Sequence, residues 1–193
     1  MKKTIIAALF ATALAAPAMA QEAAPFTGPR VEAVVGYDRL GGTGSGSQDG
    51  LAYGAAAGYD FQLGGLVAGL EAEYVDSDVK GCATGSVVAN DRICANAGRD
   101  LYVGGRVGAA VTPTTLLYAK AGYTNARVGV NYTDTTTPAN SFRLNDELDG
   151  VRVGAGVEQQ LGNGIYAKAE YRYSNYEAGL DRHQVLGGLG FRF

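Results

Sequence analysis

The chain has no tryptophan, one histidine, two cysteines, two methionines and five prolines among 193 residues. One histidine and two cysteines leave too few ligands for a structural zinc centre. Charged residues are only 18% and the formal net charge is −3, so nothing in the composition suggests a basic nucleic-acid surface. Glycine, in contrast, is abundant at 29 residues, and each interior glycine weakens a helix by roughly 1 kcal/mol, which argues against a helical bundle. The 47% apolar content excludes a disordered chain. What remains is a β-rich fold, of a length that suits a single domain.

The one continuous apolar run stands at the start, MKKTIIAALFATALAAPAMA: two lysines, an uncharged stretch, then small residues ending in Ala18-Met19-Ala20. This is the layout of a cleavable signal peptide over 1–20. The run before Pro17 is about 12 to 13 residues, short of the ~20 that a spanning helix needs. Cleavage after Ala20 removes Lys2 and Lys3 and takes the net charge from −3 to −5. Residues 21–29 read as an N-terminal lead and 30–193 as the folded domain. Export exposes Cys82 and Cys94 to oxidation, and eleven residues between them predict a disulfide within one long loop. The spacing is not that of a C-x-x-C redox pair.

From residue 30 onward the character switches at every position, the period of a strand. Eight segments show it, near 30–38, 51–60, 66–75, 100–111, 116–125, 148–158, 165–174 and 182–193. One parity is apolar throughout, as in Val31, Ala33, Val35 and Tyr37, or Val151, Val153, Ala155 and Val157. The other carries Glu32, Glu71, Glu73, Arg106, Lys120, Arg152, Lys168, Glu170 and Arg172, interleaved with glycine. The gaps at 39–50, 76–99, 126–147 and 175–181 read as long loops, whereas 61–65, 112–115 and 159–164 are short. Long and short connections therefore lie at opposite ends, with both termini at the short-turn end.

On the apolar face Tyr37, Tyr53, Tyr74, Tyr123 and Tyr173 fall toward the long-loop end, and Tyr59, Phe191 and Phe193 toward the other, as two interfacial aromatic girdles would. A soluble β-sandwich shares the alternation, but not ten-residue strands, two-sided loop asymmetry and glycine gathered on the polar face. The expected fold is all-β, an eight-stranded antiparallel up-and-down transmembrane barrel behind a signal peptide. Its narrow lumen would hold the polar parity as an ion-paired network, in which Arg152 would meet Glu71 or Glu170.

The segments GLEAEYVDSD (69–78), YAKAGYTNARVG (118–129), VGAGVEQQLGNGIYAKAEYRYSNY (153–176) and HQVLGGLGFRF (183–193) resemble the small outer-membrane β-barrel proteins related to the outer membrane protein A barrel and the opacity-type surface antigens. The alphaproteobacterial porin-family branch is the most similar. The resemblance implies the outer membrane of a Gram-negative envelope as location, with both barrel termini periplasmic. It also implies Phe193 as part of the signal read by the barrel-assembly machinery. A periplasmic peptidoglycan-binding domain, which two-domain relatives carry beyond the barrel, is not expected after Phe193.

A structural and surface-interaction role follows, in contact with outer-membrane lipid and lipopolysaccharide and without nucleic acid, cofactor or metal, as a monomer. A narrow channel for small solutes is the alternative; a lipid-modifying barrel enzyme is a remote one. For the enzyme, His183 would sit outward at the interface, but position 185 is Val and Ser174 has inward parity, so no nucleophile stands beside it. Two acidic clusters, Asp76 with Asp78 and Asn145-Asp146-Glu147 with Asp149, lack the ligand spacing of a calcium loop and read as solvated carboxylates.

Overall fold

A computed structural model of the chain describes residues 24–42, 45–84, 91–134 and 141–193. The signal segment, with its cleavage position at Ala20, lies outside the described residues. Nine strands follow one another: β1 (Gly28–Gly42), β2 (Ser45–Leu63), β3 (Leu66–Ser77), β4 (Lys80–Thr84), β5 (Asp91–Thr112), β6 (Thr115–Asp134), β7 (Phe142–Gly162), β8 (Ile165–Tyr176) and β9 (Leu180–Arg192). All pairings are antiparallel, and β1 with β9 and β3 with β5 close the sheet on itself.

β3 and β4 are two lengths of one stave. Between them the Asp78 amide donates to Leu51 O and Val79 O accepts from the Ala97 amide, so the ladder runs through the break. The ring therefore has eight staves, and nine strands only because one of them is interrupted.

At one end the staves are joined by two-residue turns, Gly64-Gly65, Pro113-Thr114 and Asn163-Gly164. Asn163 and Gly164 both take positive φ, 53° and 77°, as a primed hairpin turn requires. At the other end three of the four expected long loops are largely strand, and the fourth, 175–181, turns through a 3-10 helix at Glu177–Gly179. Residues 45–50, 91–99, 126–134 and 142–147 all belong to staves that continue past the barrel. β4 and the upper parts of β5, β6 and β7 form a four-stranded sheet that stands above the ring, while the hairpins β1–β2 and β8–β9 turn back sooner. Cys82 and Cys94 are thus not loop residues: they face each other across β4 and β5 and are joined by a disulfide.

The alternation explains the ring. Apolar residues of one parity point outward and stay exposed, Leu70 at 71% and Leu189 at 62%, whereas their polar neighbours are buried inside. Above the ring the phase inverts. Val128, Val130 and Tyr132 continue the inward parity of Lys120 and Thr124, while Asn125, Arg127 and Asn131 take the outward one. Leaving hydrocarbon for water is the physical reason, since an outward apolar residue no longer has lipid to meet.

Candidate functional site: the lumen and the protruding sheet

Every lumen residue expected from the alternation points inward and is buried: Glu32, Glu71, Glu73, Arg106, Lys120, Arg152, Lys168, Glu170 and Arg172. Seven more were missed, Arg30, Asp38, Asp60, Asp100, Glu158, Arg182 and Arg192. Their signal was available, because each continues the inward parity toward a strand end. Together they make eight acids and eight bases inside the ring among the described residues.

The charges bond in three tiers. Nearest the two-residue turns, Asp60 accepts from Arg30 Nε at 3.0 Å, Arg106 Nε at 2.8 Å and Arg192 Nη1 at 2.6 Å, and Glu158 takes Arg192 Nη2 at 2.6 Å. In the middle, Lys120 Nζ reaches Glu71 at 2.7 Å and Glu170 at 2.8 Å and also bonds Glu73, while Lys168 bonds Glu32. Tyr118 and Tyr166 donate their hydroxyls to Glu170 and Glu32 at 2.6 and 2.8 Å. Toward the protruding sheet, Asp100 accepts from Arg182 at 2.9 Å, Tyr176 at 2.8 Å and Thr124 at 2.6 Å and also pairs with Arg152. Asp38 there takes Arg182 Nε at 2.8 Å.

Arg152 does not meet Glu71 or Glu170 as expected. Its partners are Glu73, at 3.3 Å, and Asp100. The staves tilt, so residues level in the sequence pattern are not level in the lumen. Space is made for these side chains by glycine: a Cβ on Gly190 would collide with the Tyr166 ring, and one on Gly104 with Tyr102.

The mouth at the two-residue turns is stopped by the lead. Phe26 is fully buried against Val67, Leu116 and Tyr118. Its amide donates to Gln62 Oε1 at 3.1 Å and its carbonyl accepts from Arg192 at 2.8 Å.

Of the girdle residues, Tyr37, Tyr53, Tyr59, Tyr74, Tyr123 and Phe191 are exposed on the outer face, as is Phe193, and Tyr173 lies half-exposed beside His183 at 5.0 Å between rings. His183 lines an outward cavity of about 540 Å³ with Tyr37, Arg39, Ser47, Tyr171 and Asp181. Its Nδ1 is engaged by the Tyr171 hydroxyl at 2.7 Å and its Nε2 faces Asp181 at 3.4 Å, while Ser47 Oγ accepts from Arg39 at 2.9 Å. Neither imidazole nitrogen addresses that serine.

The acidic clusters are engaged within the protein. Asp76 accepts from the Ser77 amide and Asp78 from the Leu51 amide, at 2.8 and 2.6 Å. Asp149 accepts from Tyr123 and Asn125. Glu147 accepts from Arg127 at 2.8 Å and Arg99 at 2.6 Å, and these two guanidiniums hold its carboxyl below the usual range. Glu32, Glu71 and Glu73 bring three carboxylates within 4.8 Å, a group that could hold a metal ion, but Lys120, Lys168 and Arg30 already supply the cations.

Comparison with known proteins agrees with this architecture. The family model for the outer membrane protein beta-barrel domain matches residues 6–193. The 25 kDa outer-membrane immunogenic protein of Brucella ovis is 30% identical over 200 residues, covering 95% of this chain and 91% of that protein. The 22 kDa outer membrane protein of Rhizobium leguminosarum bv. viciae is 31% identical over 148 residues, 70% of this chain but 63% of that one. Among solved structures, neisserial surface protein A superposes with a TM-score of 0.59 and the attachment invasion locus protein Ail of Yersinia pestis with 0.55. Each is 14% identical and covers 86% of this chain, and the match takes in 98% and 99% of those chains, a likeness of fold. A closed ring with an apolar outer wall, matched along nearly its whole length, makes the chain an integral outer-membrane protein of the outer membrane protein β-barrel family.

Proposed function

We propose that the barrel is a closed anchor, not a channel, and that its work is done by the sheet it holds above the membrane. The observation that carries this is the lumen: eight acids and eight bases are buried there, each carboxylate within reach of at least one cation. Removing one partner from such a set leaves an uncompensated buried charge, so the plug is held tightly shut. The short-turn end, with both described chain ends, faces the periplasm and the protruding sheet faces the exterior, the usual disposition of such barrels.

A surface-interaction role fits that placement. The Brucella relative is named as immunogenic and the Yersinia neighbour for attachment, both outward-looking properties. No catalytic role is assigned, since both nitrogens of His183 are engaged and Ser47 bonds Arg39. Phe193, at the end of the closing strand, serves as the element recognised during barrel assembly, and the protein works as a monomer.

Planar-bilayer recording of the refolded protein tests the plug. No long-lived openings are expected. Reproducible nanosiemens-scale steps would overturn the closed-anchor reading in favour of a narrow solute channel.

A further inference from the structure

The chain is acidic overall, yet the outer face of the protruding sheet gathers cations: Lys80, Arg92, Arg99 and Arg127. The acids beside them are already committed. Glu147 is shared between Arg99 and Arg127, Asp149 is taken by Tyr123 and Asn125, and Asp78 by the Leu51 amide. Lys80 is exposed and makes no ion pair among the described residues.

Lys80, Asn96, Gly129 and Asn145 are direct neighbours across β4, β5, β6 and β7, one row spanning the sheet. They line a depression of about 330 Å³, closed on its flanks by Arg127 and Asn131. Gly98 and Gly129 leave bare backbone in its lining. Any side chain at Gly129 would press on Asn145 Oδ1, 3.0 Å from the Cβ position, and fill the hollow. Two cations, the amides of Asn96 and Asn145 and bare backbone make a site for a ligand rich in hydroxyls and bearing an anion, because amides match hydroxyls and Arg and Lys match phosphate.

Height selects the source. Gly129 lies six residues beyond Tyr123 on the same outward face. At ~3.3 Å per residue and a ~45° tilt, that is on the order of 14 Å above the girdle. The face it lies on is the one turned toward neighbouring lipid, and this height passes an ordinary phospholipid headgroup and reaches the sugars of a glycolipid. We propose that this depression binds the phosphorylated sugars of the glycolipid in the surrounding outer leaflet, with Lys80 and Arg127 on a phosphate and the asparagines on sugar hydroxyls. The proposal rests on the exterior placement of the sheet argued above.

After the signal segment the chain has only Lys80, Lys120 and Lys168, and the latter two are buried in the lumen. Acylation of Lys80 in the refolded barrel, followed by peptide mass mapping, therefore reports the site directly. Phosphorylated lipopolysaccharide should slow Lys80 acylation about tenfold, the value of one charge-assisted contact. Dephosphorylated lipopolysaccharide should protect poorly, and protection should be lost in Arg127→Ala and Gly129→Val but kept in Arg39→Ala.

Equal acylation with and without lipopolysaccharide overturns the proposal, as does equal protection by the dephosphorylated form. Stronger protection by soluble heparin fragments than by lipopolysaccharide also overturns it, in favour of a free polyanion. Should Arg127→Ala fail to refold, Lys80→Gln, which breaks no ion pair, must weaken lipopolysaccharide binding in a direct titration. Orientation is read separately, by labelling a Ser47→Cys variant on intact cells with a membrane-impermeant maleimide, so a misassigned side and an absent site give different patterns.

Discussion

Glu73 on β3 and Arg172 on β8 stand diametrically opposed, four staves apart in either direction around the ring, yet Arg172 Nη2 donates to Glu73 Oε1 at 2.9 Å. Two side chains suffice to cross the barrel at this level. The narrowness makes every lumen charge dependent on strands that are not its neighbours.

Arg172→Leu should therefore destabilise the folded barrel by about 3–5 kcal/mol, the cost of stranding a buried charge. Glu73 and Glu170 both lose a partner. Urea unfolding in lipid vesicles measures the loss. A change within experimental scatter would mean that water enters the lumen and screens these groups.

Neighbouring positions on β7 test the inside-out assignment. Val153 is 51% exposed on the outer face and Arg152 is fully buried inside. Val153→Arg should cost roughly 2–4 kcal/mol, the range for a cation facing lipid at mid-depth. A spin label at position 153, with both native cysteines removed, should be relaxed by lipid-dissolved oxygen and spared by aqueous nickel chelates. Shielding from both reagents would contradict a lipid-facing wall.

The Cys82–Cys94 disulfide ties β4 to β5 above the ring. In denatured, unreduced protein neither thiol should react with an alkylating agent. Substituting both by serine should raise amide exchange in β4 and upper β5 while leaving the barrel's unfolding midpoint in place, because the crosslink constrains a segment outside the cooperative ring. A drop in that midpoint would show that sheet and ring unfold together.

The bonds from Arg127 and Arg99 keep Glu147 ionised below its ordinary range. A depressed folded-state value stabilises the upper β6–β7 pairing fully above the unfolded carboxyl's titration, near pH ~4.3, and the effect vanishes as pH falls through the lower folded value. Exchange protection around the Arg127–Glu147 pair should thus fade in acid. Glu147→Gln should abolish that step, and an unchanged acid profile in this variant would refute the assignment.

The ring and its lumen were legible because period two survives wherever lipid lies on one side. Glu71, Glu73 and Arg152 announce the inner wall by parity alone. The extensions resemble loops in the sequence because the same period continues there in opposite phase: Ala126, Val128, Val130 and Tyr132 follow the inward parity, and a search for apolar residues on the outward face passes over them. Partner choice was illegible for another reason. Arg152 bonds Glu73 and Asp100 because strand tilt offsets the staves vertically, and tilt leaves no mark on a single strand's sequence.

The closing seam has a kinetic consequence. β1 pairs with β9 from Arg30 against Arg192 to Gly42 against Leu180, so the first stave finds one of its two partners only after the last has emerged. The same seam delivers Arg182 to Asp38 and Arg192 to Asp60. A sheet lacking β9 keeps its sequential hairpin pairings but holds two open edges, and Asp38 lacks its cation. The β1–β9 seam is thus the step that turns an open sheet into a ring with no exposed edge, and it joins the two ends of the chain.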